Sequence, residues 1–280
     1  MADRHVLGLS GGKDSAALAI HMREKHPELD ITYFFTDTGK ELPETHEFLS
    51  KLEGFLNKPI LRLNPGRDFD FWLRQFNYFL PSARTRWCTT ELKLKPFRKW
   101  VTPWLDAGDT IYSYVAIRAD EEHREGYTSN HENLKVVYPF RDDSIDKAGV
   151  MEILDGSGLG LPAYYEWRSR SGCTFCFFQR KIEWIELMRR HPEAFEEAKR
   201  YEKQAIENAS PFMWLGKDTP LETLENPKRI QKIEEDFRKR KEKDLANRRI
   251  NPLAPSEDHL INLDDLYLDD DESPCLVCHK

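Results

Sequence analysis

The chain has 280 residues, 39% of them hydrophobic and 32% charged, with a formal net charge of −7. That length suits one large domain, or a domain with an appended module, and the negative balance excludes a molecule that is basic overall. No apolar run reaches the roughly 20 residues of a membrane span, and the opening residues show no basic stretch leading into an apolar one, so no membrane anchor or secretory leader is expected and the expected location is cytoplasmic.

The elements follow in chain order. Residues 5–9 (HVLGL) read as a short buried strand that stops at Ser10-Gly11-Gly12. Residues 13–25 then repeat apolar positions at helical spacing through Ala16, Leu18, Ala19 and Met22. Residues 29–35 (LDITYFF) predict a second strand, residues 43–56 a helix opened by Pro43, and residues 59–63 (PILRL) a third strand. A later strand is predicted over residues 111–117 (IYSYVAI), running into Arg118-Ala119-Asp120. Strands alternating with helices predict an α/β fold with a doubly wound, parallel, Rossmann-like sheet. In such sheets ligands bind beyond the carboxyl ends of the strands, where the polar clusters fall. Beyond residue 180 the pattern becomes helical, with one helix predicted over 184–203 and a long one over 229–248, stopped by Asn251-Pro252 and Pro255. Residues 228–249 are net basic, centred on Arg238-Lys239-Arg240-Lys241, whereas residues 264–272 are strongly acidic. A solvated mixed-charge helix and a local phosphate contact both fit that distribution.

The Ser10-Gly11-Gly12-Lys13-Asp14-Ser15 segment carries the clearest chemistry. A Gly-Gly turn between strand and helix frees backbone N–H groups at a helix N-terminus, where the helix dipole favours phosphate. Ser10 and Ser15 add hydroxyls, Lys13 a cation, and Asp14 a carboxylate of the kind that holds a magnesium ion. The spacing is neither that of a Walker loop nor G-x-G-x-x-G. This stretch resembles the pyrophosphate loop of the N-type ATP pyrophosphatases. Within that superfamily the chain resembles the phosphoadenosine phosphosulfate reductase family. Four further stretches carry the resemblance in the family's order: the run from Phe35 through Asp37-Thr38-Gly39 to Thr45, the run from Cys88 to Phe97, Ile117 to Arg124, and Trp167 to Cys176.

The resemblance implies an adenine nucleotide alpha hydrolase-like fold, with residues 1–180 as the nucleotide-binding domain, 181–255 as a helical C-terminal region and 256–280 as an acidic, cysteine-containing tail. It implies that Ser10, Gly11, Gly12, Lys13, Asp14 and Ser15 hold the phosphates of ATP with Mg2+. By the same resemblance Asp37 and Thr38 meet the adenosine. Lys13, Asp14, Arg118 and Arg124 then form the catalytic set, the arginines clamping the oxyanion because a planar guanidinium matches two oxygens at once.

Four of the five cysteines form two C-x-x-C pairs, Cys173/Cys176 and Cys275/Cys278. Such pairs serve zinc and iron–sulfur centres alike. The aromatic setting of the first pair, among Phe175, Phe177 and Phe178, suits a 4Fe-4S cluster, and two buried free thiols remain the plain alternative. The family places Cys88 near the same site. Where iron-containing adenylylsulfate reductases carry two adjacent cysteines, this chain has Trp87-Cys88, which leaves Cys275 or Cys278 as the fourth ligand, or an open iron site. The terminal cysteines also suit a sulfur relay. The family's Glu-Cys-Gly tail is missing.

Two functions follow. The first is an ATP pyrophosphatase-type sulfurtransferase, nearest in character to DNA phosphorothioation enzymes, with a cysteine desulfurase as sulfur donor and DNA or another polynucleotide as acceptor. The second is an adenylylsulfate or phosphoadenylylsulfate reductase that releases sulfite. A third, non-enzymatic reading is a nucleotide-binding regulatory subunit. No membrane partner is expected, and a homo-oligomer is compatible with each reading.

Overall fold

The computed structural model describes residues 1–250, apart from residues 65, 122, 123, 125–128, 130, 211, 217 and 218. Five strands form one sheet: β1 (Asp3–Leu9), β2 (Ile31–Thr36), β3 (Ile60–Leu63), β4 (Thr110–Tyr114) and β5 (Leu134–Val137). Their order is β3-β2-β1-β4-β5, with every neighbouring pair parallel. The sheet therefore reverses direction of winding at β1 and β4, the place where open α/β sheets bind ligands.

The period-2 alternation of β1 and β2 explains why both faces are covered. Leu7, Leu9, Tyr33 and Phe35 point to one side, into a core with α1 (Lys13–Lys25), α2 (Pro43–Leu56) and α7 (Lys147–Ser157). Val6 and Phe34 point to the other side, where α5 (Lys95–Asp106) supplies Phe97 and Val101. The packing is tight at Gly8, where a Cβ would stand 3.0 Å from the Phe34 ring and the ring would have to shift.

A second core mixes aromatic and aliphatic side chains, with nine aromatic residues among the nineteen buried in it. It joins α3 (Phe69–Gln75), α4 (Trp87–Thr89) and the segment around Tyr164–Phe175 to α8 (Lys181–Arg190) and α9 (Pro192–Glu207). Phe69 sits at its centre, with ring centroids 5.1 Å from Trp87, 4.9 Å from Phe175 and 5.3 Å from Tyr201. This core draws residues from both sides of position 180.

Two sequence expectations are corrected. The helix predicted over 184–203 is two helices, α8 and α9, because Pro192 opens the second and the residue before a proline is pushed out of helical conformation; His191 has φ −133° and ψ 65°. The strand predicted over 111–117 ends at Tyr114, where its pairing with Leu7 and Val137 stops, so Val115 to Ile117 carry the chain on to Arg118. The long basic helix is present as α10 (Pro227–Ile250). Its predicted stop, the acidic tail, Cys275 and Cys278 lie outside the described residues.

Candidate functional site

The site is built from three loops at the carboxyl ends of β1, β2 and β4, with the segment after α7 laid across them. The loop after β1 turns at Gly11, whose φ of +71° only glycine adopts readily. The turn is also tight, because a Cβ on Gly11 would meet Thr45 Cγ2 at 2.5 Å. Ser15 fastens the loop from inside. Its hydroxyl accepts from Ser10 N at 3.1 Å and donates to Gly12 O at 3.2 Å. Gly12 caps α1 without any side-chain hydrogen bond, so the first turn of the helix keeps N–H groups suited to phosphate oxygens.

Lys13 and Asp14 lie beside this turn, 3.1 Å apart. Desolvation works to lower the Lys13 ammonium, but Tyr165 and Asp14 outweigh it and raise its pKa. Burial works to raise the Asp14 carboxyl, but Lys13 and Arg118 hold it below the usual range. Arg118 reaches in from the loop after β4, its guanidinium 2.9 Å from Asp14, 2.8 Å from Asp120 and 3.9 Å from Glu121. Arg124 pairs with Glu121 at 2.8 Å, and its carbonyl accepts from Arg141. Both sequence-predicted arginines are thus at the site, and their described charges already face carboxylates.

The loop after β2 brings Asp37 and Thr38. Asp37 Oδ1 accepts from Gly39 N at 2.8 Å. The Thr38 hydroxyl donates to Glu41 at 2.7 Å and lies 3.4 Å from Cys173 Sγ. Glu41 and Cys173 also pair through their backbones, and Thr174 N donates to Lys40 O at 2.7 Å. Burial pushes the Glu41 carboxyl up to about 7, with Asp37 adding to the rise and Thr38 and Lys93 opposing it. Burial likewise pushes the Cys173 thiol up to about 11. Asp37, Glu41 and His46 bring one ligand atom each to within 4.8 Å of one another, a donor set open to a divalent cation.

Cys88, Cys173 and Cys176 are thiols outside any disulfide, each half-buried. Their immediate neighbours touch. Trp87 and Phe175 both pack on Phe69, and Arg86 lies over the ring of Phe178. The three cysteines therefore border one aromatic wall. Their sulfurs are not among the described groups gathered within 4.8 Å, whereas a tetrahedral zinc centre with Zn–S near 2.3 Å sets its sulfurs about 3.8 Å apart.

Several contacts on the phosphate loop were not anticipated from sequence. Tyr164 donates to Gly11 O at 2.7 Å, Lys13 N donates to the Tyr165 hydroxyl at 3.2 Å, and Ser171 donates to Ser10 Oγ at 3.3 Å. A Cβ on Gly12 would meet Ser171 Oγ at 2.8 Å. The cysteine-bearing segment is therefore hydrogen-bonded directly onto the loop. Adjacent tyrosines eight and nine residues before Cys173 give no sequence signal for this; for the cation donor set, the carboxylates and imidazole of Asp37, Glu41 and His46, on one loop and the following helix, do.

Residues 4–135 match the phosphoadenosine phosphosulfate reductase domain. That stretch, just under half of the chain, is similar to the phosphoadenosine phosphosulfate reductase domain. It holds the phosphate loop, Asp37, Thr38, Cys88, Arg118 and Arg124; Cys173 and Cys176 lie beyond it. Among similar proteins, an uncharacterized one of Methanocaldococcus jannaschii is 27% identical over 200 residues, covering 68% of this chain and 40% of its own length. A second from the same organism is 24% identical, with 44% of its length covered. The chain thus spans less than half of either. An uncharacterized 37.8 kDa protein of Escherichia phage 186 is 25% identical, with 81% of this chain and 82% of that protein covered. The phosphoadenylyl-sulfate reductase of Candida auris, solved as a phosphate complex, gives a TM-score of 0.46 at 12% identity, over 62% of this chain and 81% of that one. No helix among the described residues is long and apolar enough to cross a membrane.

Proposed function

We propose that this chain is an ATP pyrophosphatase-type sulfurtransferase, in which the reductase-like domain binds ATP, adenylates an oxyanion and enables sulfur to replace the activated oxygen. The observation that carries the reading is the joining of the cysteine segment to the loops after β1 and β2, through Ser171 to Ser10 and through Cys173 to Thr38. Nucleotide chemistry and thiol chemistry then share one place. Ser10 to Ser15 would bind the phosphates and Lys13 would meet their charge. Asp14 would hold Mg2+, with Asp37 available as a second carboxylate. Thr38 would face both the nucleotide and the thiol.

The donor set also fits a 4Fe-4S cluster. Three half-buried thiols lie beside aromatic residues, and Cys173 and Cys176 belong to one short loop. Cys88, Cys173 and Cys176 would hold it, with Cys275 the proposed fourth ligand. When bound, such a group supplies a site that carries sulfide. A cysteine desulfurase is the proposed sulfur source. DNA or another polynucleotide is the proposed acceptor, because α10 presents Arg238, Lys239, Arg240 and Lys241 in succession. A cytoplasmic setting suits reduced thiols.

The match to the reductase domain favours a second reading, a sulfonucleotide reductase that releases sulfite. One assay separates them. Pyrophosphate released from ATP without any sulfonucleotide supports sulfurtransfer; sulfite formed from adenylylsulfate or phosphoadenylylsulfate, with no pyrophosphate from ATP, replaces it with the reductase. Asp14→Ala is expected to abolish pyrophosphate release and to weaken ATP binding about ten- to a hundredfold, the loss of one charge-assisted interaction. Arg118 keeps Asp120 in that variant, so the thermal transition is expected to survive.

A further inference from the structure

The arginines expected to grip the oxyanion, Arg118 and Arg124, face Asp14, Asp120 and Glu121. A different set of guanidiniums is gathered around Phe178, in the cysteine-bearing segment. Arg170 Cζ lies 5.3 Å from the Phe178 ring centroid and Arg86 Cζ lies 5.5 Å from it, so two cations share one ring. Arg168 is 2% exposed and donates to the carbonyls of Gly172 at 3.2 Å and Cys173 at 2.6 Å. Burial, and the neighbouring charges of Arg180 and Arg168, push the Arg170 guanidinium below the ordinary arginine range, against the pull of Glu183 and Cys176.

Glu183 does not neutralise Arg168, Arg170 and Arg180 one for one. Its carboxylate accepts from the backbones of Ser169 at 2.8 Å and Arg180 at 3.0 Å. Arg168 is buried and Arg170 and Arg180 are half-buried, and like charges drawn partly out of water are costly unless an opposite charge joins them. The same short segment also holds a run of buried polar atoms with no partner among the described residues. They are Arg168 Nε, Ser169 Oγ, Thr174 Oγ1 and both amide atoms of Gln179, a side chain 3% exposed. Native interiors leave few such atoms, and a cluster of them marks a place where a ligand or water completes the bonding.

We propose that Arg86, Arg168, Arg170 and Arg180 form a second oxyanion site, separate from the phosphate loop and next to Cys176, that takes a phosphate- or sulfate-type group of the substrate. The site lies one residue from Ser171, whose hydroxyl bonds Ser10 of the loop. An oxyanion held there is placed between the nucleotide's phosphates and the cysteines, where an adenylated oxygen would be exchanged for sulfur. This deepens the sulfurtransferase reading and rests on it for the identity of the second ligand, the nucleotide. The anion site itself stands on the arginines alone.

Equilibrium dialysis of the full chain against radiolabelled inorganic phosphate tests it, with a non-hydrolysable ATP analogue present at saturation. Phosphate is expected to bind while the analogue occupies the loop. Arg170→Gln and Arg180→Gln are each expected to weaken phosphate about tenfold or more, without changing analogue affinity. Arg170→Lys keeps the charge and loses the planar fork, so it should fall between wild type and Arg170→Gln; it also serves should the glutamine variant fail to fold. Asp14→Ala should weaken the analogue and leave phosphate binding intact. If wild type binds no ATP analogue, the functional reading fails, yet the dependence of phosphate binding on Arg170 remains measurable. Competition by inorganic sulfate and by a dinucleotide tells a sulfo group from a backbone phosphodiester, and displacement by either supports the site. Phosphate that is displaced by the analogue mole for mole, or that binds Arg170→Gln and Arg180→Gln as well as wild type, overturns the proposal.

Discussion

Replacing Glu41 by glutamine tests the electrostatics of the site without disturbing its shape. Burial pushes the Glu41 carboxyl from its ordinary 4.5 up to about 7, and Asp37 adds to the rise. The folded protein therefore keeps a proton on Glu41 over a range of pH in which the unfolded chain has released it. Where the native state binds more protons, stability falls as pH rises. The contribution is fully present below about pH 4.5 and is lost as pH climbs through about 7. At about 1.4 kcal/mol per pH unit, that interval corresponds to about 3 kcal/mol. Glutamine keeps an oxygen to accept from Thr38 and offers an amide to Asp37, with no charge to bury. Glu41→Gln should thus match wild type at about pH 4 and exceed it by up to about 3 kcal/mol at about pH 8, worth several degrees of melting temperature for a chain of this size. Urea denaturation of both proteins across that range measures the difference directly. Parallel pH profiles, or a variant less stable than wild type at the alkaline end, would refute the reasoning.

Three further outcomes are expected. Gly11→Ala must hold a side chain at φ +71° and drive its Cβ to 2.5 Å from Thr45 Cγ2; the left-handed conformation and the overpacking together should cost about 2–5 kcal/mol in chemical denaturation. Anaerobically purified protein should be brown and contain iron and acid-labile sulfide in near-equal amounts, with Cys88→Ala, Cys173→Ala and Cys176→Ala each bleaching it; colourless protein with stoichiometric zinc would replace the cluster by a structural metal. Polynucleotide affinity should fall steeply with salt, and neutralising Arg238, Lys239, Arg240 and Lys241 should flatten the slope by about 0.9 for each duplex phosphate that no longer meets a cation, as read by fluorescence anisotropy.

The fold was legible where one residue pattern had one physical solution. Alternating apolar residues in β1 and β2, each followed by glycine or a polar turn, leave little but a parallel sheet covered on both faces, and Pro43 marks the start of α2 to the residue. The split between α8 and α9 was also written in the sequence, at Pro192, but the helical period on either side is continuous enough to hide it. The Ser10–Ser15 loop could be read because its turn depends on local backbone geometry. The rest of the site depends on pairings across more than a hundred residues: Tyr164 with Gly11, Ser171 with Ser10, Cys173 with Thr38 and Arg118 with Asp14. No periodicity encodes such pairings. Arginine roles were the hardest to read, because a guanidinium's meaning lies in what it faces.

That last point decides how the site is divided. Arg118 is buried against Asp14 and flanked by Asp120 and Glu121, so its first consequence is to hold Asp14 ionised. An ionised Asp14 can pair with Lys13 and accept a metal ion; a protonated one can do neither. In this arrangement Arg118 tunes the nucleotide half of the site and contributes only what its remaining donors can reach. Arg168 and Arg170 have different surroundings, with backbone carbonyls around the first, the face of Phe178 beside the second and further guanidiniums close by. Cations in that setting gain most from an incoming anion, because their mutual repulsion is relieved by its charge. Two groups of arginines of similar appearance in the sequence thus have separate tasks, one set by carboxylates within the protein and the other awaiting an oxyanion from outside it.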